Sequence, residues 1–359
     1  MTFLTPILYA VAMTVLAIVV LIKLAPRLHL LDYPGGRKDH AAATPVVGGI
    51  AIALSLLLSL QVLAPTYAPA MTIAVALLMA IGVADDIREV PPFPKFIVQA
   101  IACLVMIYVG HVELKNVGNL IGIGDIGFWV LSVPMTIFAA IGVINAINMA
   151  DGMDGQSGII ILVALTAYAL VASESSLWDQ YKTLLVLIGG TLAFLIFNLR
   201  IPRRKHAEVF FGDAGSMLMG FLLAWFAIDL SSGMVGLQRT AAGTPLRTFP
   251  PICALWVVVI PLCDCVSLML RRLKSGRSPF AADRQHLHHF LLARGLRVGQ
   301  ANLLMLLGSI LCASVGVGGW KLGIAQPILF ASFVALFVGY HKAMSGYFKG
   351  RDVMTDKVG

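Results

Sequence analysis

Charge is what this chain has least of. Across 359 residues only 12% are Asp, Glu, Lys or Arg, about half the roughly 25% of an ordinary soluble domain. A water-exposed surface cannot be built from that supply, so much of the surface must face lipid. Acidic residues are the scarcer sign, 18 against 26 basic ones, for a formal net charge of +8. Zinc spacing is also missing. The five cysteines, Cys103, Cys253, Cys263, Cys265 and Cys312, lie in or beside apolar runs and read as small buried hydrophobes. No Gly-rich loop ends in GK[ST] and no HExxH occurs, which excludes the P-loop and the common zinc-protease helix. Fixed-period repeats and low-complexity tracts are absent. So is a cleavable-signal pattern: the first apolar run reaches about Leu24, too long for a signal h-region, and reads as a first span.

What is present is hydrophobic surface, 59% of residues with a mean hydropathy of +0.89. A spanning helix needs roughly 20 mostly apolar residues. Eleven such runs occur, at about 3–24, 46–64, 68–84, 95–112, 128–148, 157–173, 183–199, 214–231, 251–270, 300–318 and 324–341. The expected fold is therefore all-α, a single polytopic membrane domain over 1–359 with about eleven transmembrane helices. Its loops fall into two alternating sets. One set, 23–45, 85–95, 149–156, 200–213, 271–299 and the tail after 341, carries 21 of the 26 Lys and Arg residues. That asymmetry places this set in the cytoplasm, the N-terminus outside and the C-terminus inside. The positive charge thus reads as membrane orientation or as attraction for phosphate-bearing ligands, and no nucleic acid is implied.

Four polar clusters all fall on the basic side. Ionisable groups at membrane depth are costly and usually mark a site. The first is Asp85-Asp86, followed by Lys95 and Gln99. Adjacent carboxylates repel and need a proton or cation between them, or divergent directions. A pair facing phosphates suits Mg²⁺, and a solvated helix end is the bland alternative. The second is NAINMADGMDGQSG, where Asn145, Asn148, Asp151 and Asp154 recur every third residue among Gly152, Gly155 and Gly158. Such a set can hold a metal, a sugar or a uracil, or merely cap two helices. The third is Asp213 in FFGDAGSMLMG, at the start of an apolar helix, as either a cap or a metal ligand. The fourth is SPFAADRQHLHHF, with Asp283, Arg284, His286, His288 and His289. Arginine suits bidentate phosphate contact, and histidine can donate to phosphate or carry a proton near neutral pH. A further segment, GGRKDHAAATPVVGG, brings Arg37, Lys38 and His40 next to Gly48-Gly49, where close helix packing or ligand approach is possible.

Taken together, these segments resemble the polyprenyl-phosphate N-acetylhexosamine-1-phosphate transferase family, from His40 to Gly295 and in order. Within it they look most like the bacterial branch that transfers N-acetylglucosamine-1-phosphate to undecaprenyl phosphate. The branch that makes lipid I of peptidoglycan normally carries HHHxxE-type histidines. This chain has HLHH followed by Phe290, which argues against a MurNAc-pentapeptide donor.

The resemblance implies a site formed by loops 25–45, 85–95, 149–156, 200–213 and 271–299 at the cytoplasmic face of a bacterial inner membrane. It implies UDP-N-acetylglucosamine and undecaprenyl phosphate as substrates, membrane lipid as surroundings, and Mg²⁺ as cofactor with Mn²⁺ as a substitute. The reaction would be the first membrane step of a surface polysaccharide such as O-antigen. By position, Asp85, Asp86, Asp151, Asp154 and His286 match catalytic residues. His40, Lys95, Asn145, Asn148, Arg284, His288 and His289 match substrate contacts, and Asp213, Asp151 and Asp154 match metal ligands. Dimers occur in relatives, so a homodimer is compatible. The rivals are another UDP-N-acetylhexosamine donor and, in a different class, a secondary transporter. A transporter predicts a midplane site and internal pseudo-symmetry.

Overall fold

In lipid a backbone must satisfy its own hydrogen bonds, so apolar runs of this length close into helices. The computed structural model describes residues 4–33, 43–200, 204, 206–231, 248–279 and 284–349. Within them all eleven predicted runs are helical. They form α1 (Leu4–Leu24), α2 (Gly48–Leu63), α3 (Ala68–Ile87), α4 (Pro92–Tyr108), α5 (Ser132–Ala150), α6 (Gln156–Glu174), α7 (Trp178–Asn198), α8 (Gly212–Ser231), the pair α9 (Pro251–Val257) and α10 (Val259–Lys274), α12 (Val298–Leu322) and α13 (Gln326–Phe348). A short α11 (Leu287–Ala293) lies in the histidine loop, and a single turn, Trp129–Leu131, leads into α5.

The protein is a multi-pass membrane protein of the all-α class. Among the described residues eight helices are long and apolar enough to cross a membrane, and the α9–α10 pair adds a ninth if counted as one span. The difference from eleven comes from α2 and α4, whose 16 and 17 residues fall short of the roughly 20 a perpendicular crossing needs. The run expected at 251–270 is not straight either: α9 and α10 meet at 84°. Pro261 explains the place of the break. Its ring excludes a hydrogen bond to the carbonyl four residues back, that of Val257, where α9 ends. Some predicted loops also shorten. α3 continues to Ile87 and takes in Asp85 and Asp86, and α13 runs on to Phe348.

α8 is the centre of the bundle, buried along most of its length, and α2, α3, α5 and α6 pack against it. α1 and α13 lie outermost and bury only a few residues each. Small residues set the closest seams. A Cβ on Gly49 would lie 2.0 Å from Cα of Gly215, and one on Gly82 would lie 2.3 Å from Cα of Ala214. Helices meeting at that distance leave room for hydrogen only, the use of small residues expected between membrane helices. Of the two readings of Gly48-Gly49, close packing is therefore the one realised.

The predicted loop 25–45 contributes the only strands among the described residues, β1 (Leu31–Asp32) and β2 (Thr44–Pro45), paired antiparallel. This ladder is stitched to the approach to α8. Phe210 N–H donates to Pro45 C=O at 2.8 Å, and Gly48 and Gly49 N–H donate to Phe210 and Phe211 C=O, each at 3.0 Å. All five cysteines are free and none pairs, as their placement in apolar runs indicates.

Candidate active site

Three helices deliver carboxylates to the start of α8. Gly212 turns the chain with φ +80°, leaving the first N–H groups of α8 unpaired within the helix. Asp86, in the last turn of α3, caps them: its Oδ1 accepts from Asp213 N–H at 2.7 Å and its Oδ2 from Ala214 N–H at 3.2 Å. A negative group here also faces the positive end of the helix dipole. Gly212 has no alternative, because a Cβ there would lie 2.7 Å from Asp86 Oδ2.

With its backbone held, Asp213 directs its side chain sideways. Oδ1 accepts from Asn148 Nδ2 at 2.6 Å, and the same amide donates to Ser216 Oγ at 2.8 Å. The carboxyl also comes within hydrogen-bonding range of Asp85. Asp85 is itself held by Lys95 Nζ at 2.7 Å and Val90 N–H at 2.8 Å. Two carboxyls in contact require a proton or a cation between them.

The DGMDG turn, Asp151 to Gly155, closes the next side. Asp151 ends α5 and accepts a hydrogen bond from Ser157 Oγ at the start of α6. Burial lifts its carboxyl to about 7; the Ser157 hydroxyl opposes the rise, while the charges of Asp213 and Asp154 add to it. A nearby cation would reverse this effect. Asp154 faces the other way, toward Arg200 Nε at 2.7 Å and Ala207 N–H at 3.2 Å. Gly155 takes φ +84° so that its N–H reaches Asn198 Oδ1 at 2.7 Å, and Asn198 Nδ2 donates to Val209 C=O at 2.8 Å.

The histidines complete the enclosure. A Cβ on Gly152 would lie 2.4 Å from the His288 ring, so the imidazole rests directly on the backbone of the turn. His286 stacks parallel to His288, with centroids 5.5 Å apart, and His289 lies 4.1 Å from His288. Burial depresses the His288 pKa to about 3, and the charges of His289 and His286 add to this while Asp264 opposes it. His288 is therefore neutral at physiological pH, and its buried Nδ1 has no hydrogen-bond partner. Among the described residues, no group of three or more His, Cys, Asp or Glu side chains forms a ready metal site. The carboxylate and amide oxygens of Asp213, Asp85, Asp151 and Asn148 are nevertheless the hard donors that Mg²⁺ takes, and the Asp85–Asp213 contact marks where positive charge is wanted.

Comparison with known proteins bears on what such a site does. The sequence pattern of glycosyl transferase family 4 matches residues 68–231. Three similar proteins are each named undecaprenyl-phosphate alpha-N-acetylglucosaminyl 1-phosphate transferase. That of Escherichia coli O157:H7 is 33% identical over 82% of this chain and 78% of its own length. That of Haemophilus influenzae is 33% identical over 90% and 89%, and that of Yersinia pestis 30% over 95% and 91%. The chain belongs to this family. The resemblance drawn from its motifs is borne out, and the glycosyl transferase assignment decides against a secondary transporter.

Most residues singled out in the transferase's sequence meet in this enclosure: Asp85, Asp86, Lys95, Asn148, Asp151, Asp213, His286, His288 and His289. Asn145 does not reach inward with its amide, which donates to Ile141 C=O of its own helix at 2.8 Å. Asp154 is turned to Arg200. His40 and Asp283 lie outside the described residues.

Three buried polar residues beside the site escaped the sequence reading: Asn198, Asn302 and Asp264. Asn302 Nδ2 donates to Asp154 C=O at 2.8 Å, and Asp264 Oδ2 accepts from His286 Nδ1 at 2.9 Å. The available signal was a polar residue within or at the end of an apolar run. We expect Asn198→Ala to leave Gly155 N–H and Val209 C=O unpaired in a buried setting, at about 1–3 kcal/mol each. A thermal melt of the detergent-solubilised variant reads this, and an unchanged melting temperature would contradict it.

Proposed function

We propose that this transferase moves N-acetylglucosamine-1-phosphate from UDP-N-acetylglucosamine to undecaprenyl phosphate. The products are UMP and undecaprenyl-diphospho-N-acetylglucosamine, the first membrane step of a surface polysaccharide such as O-antigen. The observation that carries the reading is the convergence of Asp85, Asp213, Asp151 and the His286–His289 group at the end of a lipid-facing bundle. The names of the relatives support undecaprenyl phosphate as acceptor and N-acetylglucosamine-1-phosphate as the group moved. The concentration of Lys and Arg in one loop set supports a cytoplasmic site in a bacterial inner membrane. The whole chain acts as one domain, with loops 25–45, 85–95, 149–156, 200–213 and 271–299 around the site.

The reaction joins a water-soluble donor to a lipid acceptor, so an interfacial site between helices serves both. An oxygen of the lipid phosphate attacks the donor β-phosphorus, the bond from that phosphorus to the bridging oxygen breaks, and UMP leaves with its electrons. Most catalysis of such a transfer is positioning and neutralisation of charge. Asp213, Asp85 and Asp151 would hold Mg²⁺, with Mn²⁺ as a substitute. When bound, the ion offsets the negative charge of the donor diphosphate and of departing UMP. Asp86 keeps α8 started where Asp213 faces the site. Lys95 stands beside Asp85 as a cation for the acceptor phosphate. His288 rests on the backbone of the turn at Gly152, where its ring borders the site, and Arg284 stands on the same loop. Asp154 acts through its grip on Arg200, which fixes the turn.

The test uses purified protein in detergent with undecaprenyl phosphate, Mg²⁺ and a panel of UDP-sugars, following UMP and the lipid product. UMP release with UDP-N-acetylglucosamine and its loss in EDTA are expected. Release only with a different UDP-N-acetylhexosamine would change the donor. No release with any donor, from folded protein, would sink the transferase reading.

A further inference from the structure

Asp264 is an acidic residue inside an otherwise apolar helix segment, VVIPLCDCVSLML, and is 5% exposed. It belongs to none of the polar loops, yet its carboxylate is engaged on every side. Oδ2 accepts from His286 Nδ1 at 2.9 Å, while Oδ1 accepts from Leu287 N–H at 3.1 Å and from Tyr340 OH at 2.7 Å. The bend before α10 and the contact of Cys265 Sγ with Met149 Sδ, at 3.5 Å, bring this part of α10 to the end of α5, beside the DGMDG turn.

A carboxylate facing Nδ1 keeps the proton on that nitrogen and leaves the lone pair on Nε2. The same contact sets the plane of the ring, and stacking carries that plane to His288, which rests on Gly152. We propose that Asp264 is a positioning residue for the transfer reaction: it holds His286 as the Nδ1–H tautomer with Nε2 turned to the site as a hydrogen-bond acceptor for a hydroxyl or N–H of the donor, and Tyr340 steadies the carboxylate from α13. The inference rests on the transferase reading above.

A purely structural role, tethering the histidine loop, is served elsewhere. Arg271 Nη2 donates to Gln285 C=O at 2.7 Å and Arg272 Nη1 to Pro279 C=O at 2.5 Å. The loop thus stays anchored on both sides when Asp264 loses its charge. Asp264→Asn can still accept from Leu287 N–H, but offers an amide that no longer dictates the His286 tautomer. Replacing an orienting Asp by Asn while geometry is kept costs a serine protease about 10⁴-fold. For a group acting on a step governed mainly by charge neutralisation, a smaller loss, about 10²-fold, is expected.

The experiment combines steady-state kinetics with nitrogen NMR of histidine-labelled protein in detergent. Asp264→Asn should lower kcat about 10²-fold with KM for UDP-N-acetylglucosamine within about threefold, and should add nothing to His286→Ala, since residues acting as one unit are not additive. The wild-type His286 ring should carry its proton on Nδ1, and Asp264→Asn should shift it toward Nε2. Wild-type turnover in a folded Asp264→Asn protein, losses that multiply in the double variant, or a wild-type ring protonated on Nε2 would each overturn the proposal. If Asp264→Asn does not fold, Tyr340→Phe replaces it. It should lower kcat a few-fold, and that loss should vanish in a His286→Ala background; a loss that persists there overturns the proposal. Failure of the transferase reading looks different, because wild-type protein would then release no UMP while the tautomer signal remained.

Discussion

Asp213→Asn should lower UMP release by about 10²–10³-fold, the scale seen when one preorganised charge-stabilising group is removed, while the protein keeps its fold. The expectation rests on what the substitution leaves intact. The backbone N–H of residue 213 still donates to Asp86, and an amide oxygen still accepts from Asn148. The repulsion between Asp213 and Asp85 disappears, so the melting temperature should hold or rise. The lost charge is the one best placed to hold a divalent ion against a diphosphate. Kinetics across a Mg²⁺ titration, with a thermal melt of the same preparation, separate the two effects. A near-normal rate at saturating Mg²⁺ would show that Asp213 is a helix-start residue and nothing more.

Gly49→Ala should have the largest effect on folding. Its new methyl would lie 2.0 Å from Cα and 2.4 Å from N of Gly215, and backbone cannot yield as a flexible side chain can. Overpacking a well-packed core costs about 1–3 kcal/mol, sometimes more, and this seam joins α2 to the central helix just where Asp213 is presented. We expect little monodisperse protein and a clear fall in melting temperature. Gly142→Ala is the control, because nothing lies within 4 Å of its added Cβ, and in a helix the alanine is favoured by about 1 kcal/mol. If Gly49→Ala behaves like Gly142→Ala in size-exclusion and melting, the tight α2–α8 seam is not a determinant of the fold.

The two substitutions probe features of unequal visibility. Gly48-Gly49 could be singled out as a pair at a span entrance, but its partner, Gly215, could not be named. Asp213 was legible as important because carboxylates are rare in apolar sequence. Its alternatives, cap or ligand, could not be separated, and the structure divides them between two residues: Asp86 caps and Asp213 projects. Asp264 went unread for the opposite reason. It carries no neighbouring motif, and its partners lie 22 and 76 residues away. The bend at Val258 was legible in principle through Pro261, but a proline within an apolar run does not say whether the run kinks or continues.

The sequence by itself determined the eleven helical runs, the membrane class, the basic side of the loops and the four polar clusters. These are local properties: hydropathy over about 20 residues, charge within a loop and residue types at short spacing decide them. Only the tertiary structure decided which carboxylates face one another, which of them caps α8, that Asp154 turns to Arg200, and that Asp264 orients His286. Those pairings depend on how far apart helix axes lie and how each helix is rotated. Both are set by contacts such as Asp86 with Asp213, 127 residues apart in the chain, and by glycine seams whose two halves lie in different spans. A directional contact between distant segments leaves no periodic trace in either segment, and the packing that creates it has to be seen.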